Sequence, residues 1–245
     1  MKVQKLPWAG IRMQFETTSI AIDPLFHFPA HFGQPHDPLY PLDEFGPVDA
    51  VLVTHHHTDH FDPEAIAAFY GETVPVYVPS LPHALARGGR LTDIREIKPG
   101  ESFQVGALSV TATDSVDGFG DPQVAWVVQG GEKKVIHCGD TLWHGYWWNI
   151  AKTHGPFDAA FLPVNGAVLE LPGFTPSHQP ISLTPEQAVS AAVVLGAGAL
   201  VPIHYGTVHH PPVYHQTPNL LDRLTATAKD TVNLTILSTK ETMVV

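Results

Sequence analysis

The chain has 245 residues, 44% hydrophobic and only 15% charged, a balance that supports a buried core and excludes a disordered chain. Lys and Arg number 13 against 24 Asp and Glu, a formal net charge of −11, which argues against broad binding to nucleic acid or anionic membrane. The single cysteine, Cys138, excludes an internal disulfide framework. No apolar run reaches membrane-spanning length and the start lacks a basic-then-apolar leader, so the expectation is a cytoplasmic protein with no membrane span. An assembly of identical chains stays open. The unusual number is 16 histidines, scattered along the chain. Histidine is the commonest metal ligand.

Lys2–Leu6, Ile11–Glu16 and Ser19–Ile22 read as short strands, closed by Asp23-Pro24. A Pro/His/Phe-rich loop then runs from Leu25 to about Pro47, a length typical of functional segments. Val48–Val53 is an apolar run suited to a buried strand, and it delivers His55-His56-His57-Thr58-Asp59-His60. Asp62-Pro63-Glu64 has the form of a helix start, with Asp62 as cap, and Gly71 is a plausible stop. Val74–Val78 reads as strand and Pro82–Arg87 as a short helix. Ile94–Ile97, Ser102–Val105, Leu108–Ala112, Val124–Gln129 and Lys133–His137 make a second set of strands. Asp158–Leu162 is a further strand. Thr184 and Gln187 have capping-box spacing for a helix running to Gly196. The strand Ala199–Ile203 ends at His204, and a helix near Pro218–Ala228 and a strand Val232–Leu237 follow. With no linker or repeat, residues 1–245 are expected to form a single domain. Strands that come first in each half, with helices later, suit two packed sheets with helices outside, a four-layer αββα sandwich. Composition alone does not separate it from other α/β folds.

The histidine-rich segment carries the chemistry. His55 and His57 are two apart, so an extended chain turns both imidazoles to one side, toward one cation, and His56 to the other. Asp59 and His60 follow at a turn and can reach a second position. The run resembles the HxHxDH motif of the metallo-β-lactamase-fold hydrolases. Ile22-Asp23-Pro24 resembles the early Asp-Pro of the lactonase-like and phospholipase-D-like branch. Gly139-Asp140-Thr141 resembles the segment with the family's bridging aspartate, and Pro202-Ile203-His204-Tyr205-Gly206 the segment with its last histidine ligand. The resemblance implies the αββα sandwich, with the site at one edge between the sheets. It also implies that His55 and His57 hold a first metal, that Asp59, His60 and His204 hold a second, and that Asp140 bridges them.

One position departs from that pattern. The family supplies a third histidine to the first metal, but no histidine lies between His83 and His137. Asp117 stands where that histidine usually falls, with Asp114 the second choice. A carboxylate there makes the site harder, so zinc is expected first, with manganese or iron tolerated. His144, four residues after Asp140, is a candidate for substrate binding, proton transfer or spare ligation. Trp143, Trp147 and Trp148 beside it are either core or pocket wall. His137 is expected to pack or to support a ligand. Cys138 has no base beside it and is not expected to be a nucleophile.

These features imply a hydrolase with two divalent metal ions, in which a hydroxide formed on the metal attacks an ester, lactone or phosphodiester of a small-molecule substrate. Asp59, Asp140 and His144 are the candidate catalytic residues. The alternatives are a non-catalytic or single-metal binding protein with a degenerate site, and a di-iron redox protein of the same fold. A nuclease suits the acidic balance poorly. No Gly-x-Ser-x-Gly elbow and no phosphate-binding P-loop is present.

Overall fold

The computed structural model of the chain describes residues 1–81 and 89–245. The helix expected over Pro82–Arg87 lies outside the described residues. Two seven-stranded sheets dominate. The first contains β1 (Lys2–Lys5), β2 (Ile11–Phe15), β3 (Thr18–Ile22), β4 (Ala50–Leu52), β5 (Val76–Val78) and β6 (Ile94–Glu96) in that order. Its β1–β3 part is antiparallel and its β3–β6 part parallel. The second sheet begins with β7 (Ser102–Val105), β8 (Leu108–Asp114), β9 (Val124–Gly130) and β10 (Lys133–His137), all antiparallel. It continues in parallel through β11 (Ala159–Pro163), β13 (Ala199–Ile203) and β15 (Asn233–Leu234). A small antiparallel pair, β12 (Val168–Leu169) and β14 (Tyr214–His215), lies apart. The last strand, β16 (Thr242–Val244), returns to pair with β1 at the edge of the first sheet.

Alternation along the strands builds the layers. In β9, Val124, Trp126 and Val128 enter a core shared with Ile11, Met13, Ile20, Ile22 and Leu52 of the first sheet. The intervening Ala125 and Val127 face outward. There they meet three helices, α2 (Trp147–His154), α3 (Pro185–Val194) and α4 (Leu220–Ala228), through Trp147, Ile150, Val189 and Leu224. On the other outer face, Val51, Val53, Val76 and Val78 pack against Ala65 and Ile66 of α1 (Pro63–Phe69). Helix, sheet, sheet, helix is the expected αββα order. Each fully buried aliphatic side chain in these layers is worth about 1.5–3 kcal/mol against water. No described helix is long and apolar enough to cross a membrane.

The helix starts follow their local chemistry. Asp62 accepts the Ala65 N–H, with Pro63 at the first helical position. Thr184 and Gln187 form a reciprocal capping box, an arrangement worth about 1 kcal/mol. The strand readings run long at several ends. Val48–Val53 contracts to Ala50–Leu52 and Val232–Leu237 to Asn233–Leu234, because an apolar run reports burial and not ladder pairing. The helix α2 and the strand β16 carry no local signal. Tyr146 begins α2 without a side-chain cap, and the helix is held by buried Trp147 and Ile150.

Candidate metal centre

Five strands end at one edge of the sandwich, each followed by a residue of the site. Asp23 follows β3, His55–His60 follow β4, Asp117 follows β8, Asp140 follows β10 and His204 follows β13. Open α/β sheets place ligands outside the carboxyl ends of their strands. Close packing brings the ends together. Gly139 takes a φ of +64°, and a Cβ there would sit 2.9 Å from Thr54 Oγ1, so only glycine lets Asp140 approach the His55 segment this closely. Gly118 likewise lies against Ile181, whose carbonyl oxygen would clash with an added Cβ. That seats the turn holding Asp117.

Two buried groups of ligand-type atoms result among the described residues, beside a more exposed third, each with its atoms within 4.8 Å of one another. The first is His55, His57, Asp117 and Asp140, and the second is Asp59, His60 and His204. The sequence-expected residues are thus brought together, apart from His144. In the first group His55 Nε2 is 3.7 Å from Asp140 Oδ1, and His57 Nδ1 is 3.5 Å from Asp117 Oδ1. In the second, Asp59 Oδ2 is 3.6 Å from His60 Nε2 and 3.5 Å from His204 Nε2. Asp117 Oδ2 accepts the N–H groups of Phe119 (2.7 Å) and Asp121 (3.0 Å), leaving Oδ1 turned to the group. Asp114, half-buried at the end of β8, belongs to neither.

The opposite nitrogens of three histidines are already engaged. His55 Nδ1 is 3.1 Å from Thr54 Oγ1, His60 Nδ1 is 2.8 Å from Asp23 Oδ2 and His57 Nε2 is 2.9 Å from Asp121 Oδ2. Such outer partners set ring orientation and tautomer in metal sites. Asp23 also accepts the Thr54 N–H at 2.7 Å and its hydroxyl at 2.6 Å. Trp8 donates its indole N–H to Asp59. His56, His57 and exposed Asp121 form a third, outlying group. Spacing gave no signal for Trp8 or Asp121.

The atoms that remain decide whether a cation fits. His55 Nε2, His60 Nε2, His204 Nε2, Asp117 Oδ1 and Asp140 Oδ1 are all buried without a hydrogen-bond partner. A buried polar atom left unpaired costs about 1–3 kcal/mol. Five converging on two small volumes, three of them imidazole nitrogens and two carboxylate oxygens, fit divalent cations.

The electrostatics agree. Burial lowers His55 and takes His204 down to about 4, keeping both lone pairs free. Burial also disfavours charge on His60, but Asp59 and Asp23 outweigh it and raise it to about 9. For Asp59, burial raises the carboxyl, while His60 and His204 outweigh it and hold it well below the usual range. Asp140 is pushed up, first by burial and then by Asp117 and Asp59, whose charges act on it against that of His60. Asp140 therefore senses both groups.

His144 stands apart. Its ring stacks on Trp147 at 4.2 Å, its Nδ1 accepts the Tyr146 N–H, and its buried Nε2 has no partner. Trp147 enters the outer core, whereas Trp143 and Trp148 are exposed. None of the three lines the cavity over the metal groups. His137 is buried, spanning the sheets from its Nε2 to the Ala9 carbonyl at 2.9 Å. Cys138 is buried, and burial pushes its thiol far up, out of nucleophilic range.

A cavity of about 690 Å³ opens over both groups, lined by His57 and Asp59 among others. A larger one, of about 900 Å³, lies at the opposite strand ends beside Lys133 and Asp158 and holds no member of the metal groups.

Comparison with known proteins places this architecture. The family model described as the beta-lactamase superfamily domain matches residues 18–205. An uncharacterized protein of Mycobacterium tuberculosis (strain H37Rv) is 29% identical over 207 residues, covering 79% of this chain and 53% of its own length. The chain thus spans about half the length of such relatives. A UPF0173 metal-dependent hydrolase of Rubrobacter xylanophilus is 30% identical over 195 residues, covering 74% of this chain and 73% of the relative. Among solved structures, Igni18, a metallo hydrolase from the archaeon Ignicoccus hospitalis, superposes with a TM-score of 0.73 at 20% identity, covering 99% of this chain and 97% of that one.

Proposed function

The chain belongs to the beta-lactamase superfamily, and from that premise we propose that it is a metal-dependent hydrolase acting in the cytoplasm on a small molecule with an ester, lactone or phosphodiester bond. The observation that carries the reading is the set of five buried, unpartnered ligand atoms at the ends of β4, β8, β10 and β13. His55, His57 and Asp117 would hold one ion, Asp59, His60 and His204 a second, and Asp140 would be shared. Zinc suits the imidazoles, and the carboxylates also admit manganese or iron. Bound there, the cations supply Lewis acidity and a water acidified toward neutral pH.

The chain's own residues do the rest. Asp23 and Asp121 fix the rings of His60 and His57, and Trp8 fixes Asp59. Asp59 lines the cavity, so its carboxylate would face the attacking water and orient it as a hydrogen-bond acceptor. Asp140 belongs to the first group and feels the charge of Asp59 in the second; shared between the ions, it would hold them at a fixed separation. His144 lies outside this set, and the geometry gives it no step. Ile22-Asp23-Pro24 resembles the lactonase-like and phospholipase-D-like branch, and within this reading its carboxylate anchors His60.

Elemental analysis of the reconstituted chain, with a panel of lactones, esters and phosphodiesters, tests the proposal. The expected result is about two equivalents of transition metal and metal-dependent turnover. A chelator should lower Tm, since a ligand that prefers the folded chain stabilises it. A chain that takes up no metal on reconstitution would end the hydrolase reading.

A further inference from the structure

We infer that the site takes an uncharged acyl substrate, an ester or lactone, whose apolar arm lies on a wall made by Phe32, Phe119, Leu171, Pro172 and Phe174. The inference rests on the hydrolase reading and gives it a substrate class.

The cavity of about 690 Å³ that reaches His57 and Asp59 is lined by these five side chains, a volume in the range of small-molecule sites. They come from three separate stretches: the loop before β4, the turn after β8 and the segment after β12. Phe119 is 46% exposed and Phe174 63%. Large rings left in water at the mouth of a polar site signal a ligand that covers them. Their centroids are 5.9 Å apart, edge to face, and Phe119 in turn meets the His57 ring at 5.7 Å. The apolar wall therefore begins at a residue of the metal groups. Behind the same two rings lies a second cavity of about 390 Å³, lined also by Leu169 and Ile181, which gives a longer arm room to extend.

Away from the metal groups, the wall offers no cationic partner to an anionic substrate. Among the described residues, no Lys or Arg lines either cavity, and the charged residues present are Asp59 and Asp121. Phosphate recognition relies on Arg, Lys, convergent backbone N–H groups or metal ions. This wall presents rings and methyl groups, so a phosphodiester would have the ions alone, whereas an ester or lactone has the ions for its carbonyl and the wall for its arm. A neutral carbonyl with an aliphatic or aromatic arm meets neither repulsion nor an unpaired charge. Its hydrolysis adds water across the acyl C–O bond, releasing a carboxylic acid and an alcohol, or one hydroxy acid from a lactone.

The test uses the full chain reconstituted with metal. Para-nitrophenyl acetate, para-nitrophenyl octanoate and bis(para-nitrophenyl) phosphate are compared in kcat/KM. Binding of a neutral octyl ketone, which cannot be hydrolysed, is measured by calorimetry. The octanoate should exceed the acetate by at least about tenfold, the discrimination that a few methylenes in an apolar pocket provide, and the phosphodiester should be poorest. Phe174→Ala should cut the octanoate-to-acetate ratio about tenfold, mainly through KM, and weaken the ketone in parallel, while Phe174→Leu restores most of both. A flat chain-length profile, a faster phosphodiester, or a ratio unmoved by Phe174→Ala overturns the inference while leaving the hydrolase intact. Ketone binding that depends on Phe174, without turnover of any ester or diester, supports the subsite and overturns the hydrolase. Neither binding nor turnover overturns both.

Discussion

Trp8 donates its indole N–H to Asp59 across 51 residues of sequence, with Nε1 3.1 Å from Oδ2. The same ring lies against His204 at 4.0 Å, and the Trp8 carbonyl accepts the His204 N–H at 3.3 Å and a hydrogen bond from the buried Lys5 ammonium. One residue between β1 and β2 thus touches two of the three members of the second group. Trp8 takes a left-handed φ of 57°, as do Asp23 (46°) and His204 (58°). Each such residue costs about 1–3 kcal/mol and persists where its surroundings over-determine it. Here all three contact the metal groups.

Trp8→Phe keeps the ring against His204 and removes only the N–H. Asp59 then loses the donor that orients it. The expected outcome is a tenfold or greater loss of affinity at the second site, in the range of about 10–100-fold seen for outer partners, with the fold retained. Competition against a metal indicator measures it, alongside a thermal melt. Unchanged affinity would show that His60 and His204 suffice to hold Asp59.

Asp117 and Asp114 should separate cleanly. Asp117→Asn preserves an oxygen for the Phe119 and Asp121 N–H groups and removes the charge facing His57. It should weaken the first site at least about tenfold and leave the second filled. Asp114→Ala should leave metal content unchanged, because Asp114 is in neither group. Asp117→His supplies a nitrogen ligand but strips from the turn the oxygen that accepts two N–H groups, so it should gain relative zinc affinity at a stability cost of about 1–3 kcal/mol. Titration of apparent zinc stoichiometry in each variant distinguishes these outcomes, and the reverse ranking of Asp114 and Asp117 would move the first site.

The site is legible in the sequence where spacing is local. His55, His57, Asp59 and His60 lie in one short run, and an apolar strand before that run is enough to place it at a sheet end. Asp117 is legible as a gap in a pattern. Trp8 and Asp121 are not, because their roles exist only once chain segments far apart in sequence meet. The tryptophan cluster shows the same limit: Trp147 turns into the core and Trp143 and Trp148 to the surface, a division set by the packing of α2 on the second sheet. The Phe119–Phe174 wall is another non-local product, joining residues 55 apart in the chain.

The acid side of the stability profile should carry a mark of His144. Burial takes its pKa down to about 4 from the ordinary 6.5. Between these values the folded chain keeps His144 neutral while the unfolded chain protonates it. The unfolded state binds more protons, so stability falls as pH drops from about 6.5 to about 4. Solvent screening at its partly open face holds this loss to the order of 1 kcal/mol. His144→Phe keeps a ring against Trp147 and removes the titration. Urea unfolding of both proteins at pH 7 and pH 5 should show a smaller acid loss in the variant, with the remaining histidines contributing equally to each. Identical acid losses would mean that His144 is not held neutral.

Asp23→Asn isolates the carboxylate that aims His60. Asp23 accepts three hydrogen bonds, from the Thr54 N–H, the Thr54 hydroxyl and His60 Nδ1. Asparagine has one acceptor oxygen, and its NH₂ would confront a donor, so at least one buried donor is left unpaired. The backbone is not the issue, because asparagine tolerates the left-handed φ that Asp23 adopts. The negative charge next to His60 also disappears, and with it one of the three carboxylates that raise His60 to about 9 against the cost of burial. The metal-free variant should lose roughly 1–3 kcal/mol of stability. Its second site should bind zinc about tenfold more weakly, while the first site, whose histidines do not touch Asp23, stays near its original affinity. Asp23→Ala adds backbone strain and should be worse in stability without a further change in the affinity ratio of the two sites. If Asp23→Asn keeps its Tm and fills both sites as before, His60 is aimed by its packing on His55 and His204, whose rings lie 4.2 Å and 5.0 Å away, and not by the carboxylate.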